Sequence, residues 1–264
     1  MLQRRFFPSD IVAYVSPLLE SQGVRHAFST RLGGMSPPPF ASMNLGNPNG
    51  CEIQDDYERI WENYRRLQAA IGMNEDRPCR VHQVHGNTIA RVNRSETFDN
   101  SAKADAIVSV DPARVISVRV ADCVPVLLAG PGGRTVAAVH AGWRGVVAEI
   151  VTAALRDMHE DPGECVAAIG PCISMEGFEV GPEVLDEFER LFKARAPVRR
   201  RADGKGHVDL REAVRLQLIS AGVSPDHIDT TDRCTVRDED EFYSHRRDNG
   251  ITGRMAALIQ APWR

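Results

Sequence analysis

The sequence predicts an α+β protein, with layered mixed β-sheets flanked by helices in a single domain over residues 1–264. Three observations predict it. Short runs rich in Val, Ile, Ala and Leu, bounded by turn residues, crowd the middle of the chain. Apolar residues at spacings of three and four mark separate helical stretches on either side. Strand and helix signals do not alternate strictly, which argues against a doubly wound parallel sheet.

Taken in order, strands are expected at 10–15 and 24–28. A loop rich in Gly and Pro follows at 31–50. Loops of that length in a compact domain are usually functional or disordered, and its apolar Phe40, Met43 and Leu45 argue against disorder. Tyr57, Ile60, Trp61, Tyr64, Leu67 and Ile71 form one apolar stripe, giving a helix over 54–73 that opens on acidic Asp55, Asp56 and Glu58. The β-rich middle comprises runs at 88–92, 104–110, 115–120, 124–128 and 135–139, with GPGG at 130–133 as a turn. A helix is expected over 145–159, closed by Pro162 and Gly163, then a strand at 165–169 and amphipathic helices at 183–194 and 210–221. Late strands are expected at 227–231 and 255–259. The basic RRR at 199–201 reads as a solvated loop.

Composition narrows the function classes. The chain has 264 residues, is 42% hydrophobic and 26% charged, and carries a formal net charge of -4. Such a balance points to neither a nucleic-acid nor an anionic-membrane partner. No run of about 18 apolar residues is present, so no transmembrane helix is expected. The opening MLQRRFFPSDIV lacks an apolar signal core followed by a small-residue cleavage site, and a cytoplasmic protein is expected. The six cysteines include no C-x-x-C pair. Free thiols are expected rather than disulfides, and any metal site must gather residues distant in sequence.

Three segments concentrate the chemistry: HQVHG at 82–86, ADC at 121–123 and VHAGWRG at 139–145. Each falls where a strand meets a turn or a helix, where a rigid element aims side chains into a cleft. His85 and His140 stand beside small residues that leave room for an imidazole. Two imidazoles and one thiolate, from His85, His140 and Cys123, match the three-ligand set of an open catalytic zinc site. Zinc would lower the pKa of bound water towards about 7. Cys123 could instead be a nucleophile with a histidine base. Asp122 precedes Cys123, and neighbours in a strand face opposite ways, so the two share a site only if the strand bulges. Arg144 could face an anion near the start of the following helix. FYSHRRD at 242–248 offers Arg246, whose planar fork suits phosphate or carboxylate. Cys172 and Cys234 read as structural thiols.

These motifs together resemble the YfiH family, which has been labelled both as multicopper polyphenol oxidoreductases or laccases and as purine nucleoside phosphorylases. The resemblance runs through FSTRLGGMSPPPFASMNLG (28–46), QVHG (83–86), ADAI (104–107), ADCVPVLL (121–128), AAVHAGWRG (137–145), IGPCIS (169–174) and DRCT…FYSHRRD (232–248). It implies layered sheets flanked by helices and zinc ligands at His85, Cys123 and His140. His82 falls outside the family's Q-x-H-G element. It also implies phosphorolysis of adenosine, inosine and methylthioadenosine, with deamination of adenosine, so that a purine nucleoside and phosphate are the partners. Motif position assigns substrate contacts to Arg31, Asn44, Arg144 and Arg246. Two alternatives stand beside this: a cysteine-type hydrolase editing a peptidoglycan peptide precursor, and a copper-dependent polyphenol oxidase. Zinc ranks above copper. The chain has eight histidines in all, too few in the site motifs for a blue-copper site plus a trinuclear cluster. Cys123 and His140 are also not gathered with a Met in one short loop, as blue-copper ligands are.

Overall fold

The computed structural model describes residues 1–48, 50–93 and 96–263. Its strands are β1 (Gln3–Phe7), β2 (Ile11–Val15), β3 (Arg25–Ser29), β4 (Ile89–Val92), β5 (Ala106–Ser109), β6 (Ile116–Val120), β7 (Val124–Ala129), β8 (Val136–Ala141), β9 (Val166–Ile169), β10 (Glu179–Val180), β11 (Val198–Arg200), β12 (Gly206–Val208), β13 (Ile228–Asp229) and β14 (Met255–Gln260). The helices are α1 (Pro17–Ser21), α2 (Tyr57–Ala70), α3 (Trp143–Val147), α4 (Ile150–Met158), α5 (Pro182–Phe192) and α6 (Leu210–Ser220). The strands form a five-stranded sheet ordered β1-β2-β3-β14-β6, a six-stranded sheet ordered β13-β9-β7-β8-β5-β4, and a small sheet ordered β10-β12-β11. The α+β class of mixed sheets with flanking helices is the one expected.

Why the two large sheets stack follows from β7. Its six residues, VPVLLA, are all buried, so both faces of the strand must be covered. Val124, Val126 and Leu128 point into a core shared with Ile150, Val151, Ala154 and Leu155 of α4 and with Ala213, Val214 and Leu218 of α6. Leu127 and Ala129 point the other way, against Ile116, Val118 and Val120 of β6 and Ala257 and Ile259 of β14. The period of two along one strand thus feeds two cores. The outer face of the five-stranded sheet presents Ala256 and Leu258 to Ile60, Tyr64 and Leu67 of α2. Four layers result: α2, the five-stranded sheet, the six-stranded sheet, and the remaining long helices.

Several boundaries differ from expectation for local reasons. The helix expected over 145–159 is two helices, broken where Glu149 adopts a left-handed φ of 57°. The side-chain amide of Asn87 donates to the Ala148 carbonyl at this break. The RRR segment is not wholly a loop, because Arg199 and Arg200 lie in β11. Two of its three charges form surface ion pairs, Arg200 with Glu189 and Arg201 with Glu179. The 31–50 segment forms no helix or strand among its described residues, and Phe40, Met43 and Leu45 are buried as expected. The six cysteines are free.

Candidate metal centre

The strand directions bring three motifs to one end of the six-stranded sheet. β5 runs antiparallel to β8, β7 antiparallel to β8, and β4 parallel to β5. The starts of β4, β5 and β7 therefore meet the end of β8. QVHG leads into β4, ADAI into β5, ADC into β7, and β8 carries His140 near its end. ADC also joins β6 of one large sheet to β7 of the other, so Cys123 sits where the chain crosses between layers.

One ligand atom from each of His85, Cys123 and His140 lies within 4.8 Å of the others. The two imidazoles meet edge to face, with ring centroids 4.9 Å apart. His140 is buried, Cys123 half-buried and His85 exposed, so the cluster is closed on the core side and open on the other. Two nitrogens and a thiolate with an open fourth position form the donor set of a catalytic zinc site.

Asp105, which the sequence reading passed over although it lies within ADAI, organises the cluster. Its Oδ1 lies 2.8 Å from His140 Nδ1 and accepts the His85 backbone N–H at 2.9 Å. Its Oδ2 accepts the backbone N–H groups of Gly86 at 2.7 Å and Val84 at 3.2 Å. One carboxylate thereby fixes the loop that carries His85 in its left-handed φ of 62°. Holding the proton on Nδ1 of His140 leaves Nε2 free for a metal, the usual arrangement behind a ligating histidine. Gln83 adds a second tie, exchanging hydrogen bonds with both the N–H and the carbonyl of Arg119 on β6 at 2.9 and 2.7 Å.

The electrostatics agree with this geometry. Burial opposes ionisation of Asp105, but the His140 imidazole and the Gly86 and His85 N–H groups more than offset it, holding the carboxyl below its ordinary range. Burial likewise opposes ionisation of Cys123, yet His140 and then His85 outweigh it and bring the thiol down. Burial disfavours the charged form of His140, while Cys123 and Asp105 push its pKa up. Without metal, then, the pair tends toward thiolate and imidazolium. Burial raises Cys79, and pushes Cys165 and Cys172 up to about 11. At pH 7, iodoacetamide should label Cys123 of metal-free protein well before those three, because the thiolate is the nucleophile. Peptide mapping by mass spectrometry reads the order, and zinc should protect Cys123.

Gly142 supplies the space the cluster needs. A Cβ there would lie 2.7 Å from His85 Cδ2 and 3.2 Å from Cys123 Sγ. Gly142→Ala should displace the His85 ring and cost about 10²-fold in turnover, the scale of a misplacement near 1 Å. Its thermal stability should stay close to wild type, and a steady-state assay beside a thermal melt checks both.

The cluster opens on a cavity of about 290 Å³, lined among others by Arg119, Arg246, Arg254, His245, Ile173 and Phe178. The expected substrate contacts divide here. Arg246 lines the cavity, with its guanidinium over the Phe178 ring at 5.4 Å. Arg31, Asn44 and Arg144 are not among the residues that line it. Arg31 donates to the carbonyls of Ala41 and Glu239 and lies over the Tyr243 ring. Asn44 is fully buried and tied to Asp55, Gly46 and Arg254 backbone or side-chain groups. Arg144 stacks on Trp143 with 4.4 Å between guanidinium and ring centroid. Asp122 has a φ of 94°. Its carboxylate accepts from the Thr235 hydroxyl and the Arg246 N–H and stays out of the ligand cluster, although residues 121–123 form a bend ahead of β7, not strand, and Asp122 lines the same cavity as Cys123. His82 is exposed and outside the cluster.

Residues 25–262 match the family described as multi-copper polyphenol oxidoreductase laccase. The chain belongs to this family. Among its relatives, a purine nucleoside phosphorylase of Deinococcus radiodurans is 37% identical over 94% of both chains. The purine nucleoside phosphorylase YfiH of Escherichia coli is 38% identical, covering 91% of this chain and 95% of its own. The crystal structure of YlmD from Geobacillus stearothermophilus superposes with a TM-score of 0.86 at 32% identity, covering 96% of each chain. The layered fold is thus that of YlmD, and no helix among the described residues is long and apolar enough to cross a membrane.

Proposed function

We propose that this protein is a zinc-dependent purine nucleoside phosphorylase, with inorganic phosphate as the second substrate. The observation that carries the reading is an open His–Cys–His donor set facing a cavity whose charged lining is chiefly arginine, in a chain whose relatives are named purine nucleoside phosphorylases. Phosphorolysis needs a phosphate beside the anomeric carbon of the sugar. One phosphate oxygen bonds to that carbon, the glycosidic C–N bond breaks, and the purine leaves with the electron pair and takes up a proton. The arginines offer the charge that concentrates and orients phosphate. Ile173 and Phe178, both buried, give an apolar wall on which a purine can pack. Asp105 holds the orientation of His140 and, through the loop, of His85. A bound zinc would supply Lewis acidity at the open side of the cluster, which is also the requirement for adenosine deamination.

Zinc fits the donor set better than copper. Among the described residues, His85, Cys123 and His140 are the one group of three such side chains close enough to share an ion, so the ligands of a multicopper assembly are not present there. The test is removal and return of metal. Chelated protein should lose phosphate-dependent cleavage of inosine, and zinc should restore it; restoration by copper alone, with oxidation of a phenol, would displace this reading.

A second reading rests on the lowered thiol of Cys123 in contact with His140, the arrangement of a cysteine nucleophile with its base. It would make the protein a hydrolase of a peptide precursor. Such an enzyme works without metal, so full activity after chelation would favour it. A cytoplasmic setting suits either chemistry, since both leave the cluster cysteine reduced.

A further inference from the structure

Arg119 of β6 lies opposite Ala256 of β14, and Arg254 stands two residues before Ala256 on the same run. Alternation along strands places both side chains on one face as diagonal neighbours. Both line the cavity that holds the ligand cluster, and both are half-buried, whereas Arg246 is exposed at its rim. Two like charges side by side on a sheet are unfavourable unless something of opposite sign joins them.

Among the described residues neither guanidinium is ion-paired, and Cys123 and Asp122 act on Arg254 only as nearby opposite charges. Arg254 donates to the carbonyls of Thr252 and Gly253. Arg119 reaches only the Val81 carbonyl, at 3.4 Å, and its Nε is buried without a partner. The one carboxylate lining the cavity, Asp122, already accepts from Thr235 and the Arg246 N–H. Burial lowers the pKa of both guanidiniums, and a neighbouring arginine adds to the effect at each, Arg119 for Arg254 and Arg80 for Arg119, offset in part by Cys123 and Asp122 at Arg254 and by Tyr64 at Arg119. A half-buried pair of planar forks with no ion-pair partner, both lining one cavity, is suited to one ligand chemistry, a tetrahedral oxyanion taking hydrogen bonds from both.

We infer that Arg119 and Arg254 form the phosphate subsite and that its occupant is inorganic phosphate. The inference rests on the phosphorolysis reading for its choice of occupant. It replaces Arg144, which stacks on Trp143 away from the cavity.

The test is calorimetric titration of zinc-loaded protein with inorganic phosphate and, separately, with adenosine 5′-monophosphate. Wild type is compared with Arg119→Met, Arg254→Met, Arg254→Lys and Arg144→Met, with zinc content and thermal melts recorded for each. Arg119→Met and Arg254→Met should weaken phosphate binding at least about tenfold with zinc retained, the scale of losing a charge-assisted fork. Arg254→Lys keeps the charge without the fork, so it should fold if the Met variant does not and should lose affinity by a smaller factor. Arg144→Met should match wild type. Unchanged phosphate affinity in both the Arg119 and Arg254 variants would overturn the inference, as would binding of the nucleotide by these arginines with none of free phosphate. Arginine-dependent phosphate binding in a protein that cleaves no nucleoside would uphold the subsite and remove only the phosphorolysis reading.

Discussion

Cys123→Ala should yield a folded protein that retains no stoichiometric zinc and turns over inosine at least about 10²–10³-fold more slowly than wild type. Cys123 contributes the only sulfur of the cluster, and two imidazoles alone, one of them exposed, leave a much weaker site. Folding should survive. The residue is half-buried at the margin of the core formed by the two large sheets, and the truncation removes one sulfur from the cavity wall. Chelated wild-type protein should behave like the variant, and added zinc should rescue wild type alone. Elemental analysis and steady-state kinetics on one preparation check both halves. Zinc retained at one per chain in Cys123→Ala would remove Cys123 from the ligand set.

Asp105→Ala should be the most destabilising change in the site and should also cost metal. The carboxylate is fully buried and accepts from three backbone N–H groups besides meeting His140. Removing it leaves those donors unpaired, each at a cost of about 1–3 kcal/mol before relaxation. We expect a net loss of about 3–5 kcal/mol, read by denaturant unfolding. Zinc affinity should fall about 10–100-fold, as for other groups that orient a ligating histidine. The pH dependence has a definite sign. Folding depresses the Asp105 carboxyl below its ordinary value of 3.8, so its stabilisation is present above that value and is lost as pH falls through the lower folded value. Metal-free Asp105→Asn should therefore show a shallower loss of stability than wild type in strong acid. An unaltered acid limb in Asp105→Asn would show that the carboxylate does not carry that linkage.

The clustering of His85, Cys123 and His140 was legible in the sequence because chemistry and motif position coincide there. His85 and His140 each precede small residues, and ADC opens an apolar run that could only be a strand. The layered class was legible from the largely apolar runs that became β7, β8 and β14. Asp105 was not legible, because a lone aspartate inside the run at 104–110 carries no sign of its partners; its role comes from strand order, which places the start of β5 beside the end of β8. Arg119 and Arg254 were missed for a related reason. Each stands in or beside an apolar strand, and only the pairing of β6 with β14, distant in sequence, sets them on one face. Arg31, Asn44 and Arg144 were drawn from motif position, and none of the three lines the cavity. The break at Glu149 was hidden because apolar spacing continues across it, and only the backbone turn reveals it.

The most direct test of the account is the fate of inosine on zinc-loaded protein, with and without inorganic phosphate, followed by chromatography for the base and by phosphorus NMR for the sugar. The account predicts that hypoxanthine and ribose 1-phosphate appear in equal amounts, only when phosphate is present, and not after chelation. Hypoxanthine released at the same rate without phosphate, or no release from protein holding one zinc per chain, would contradict it.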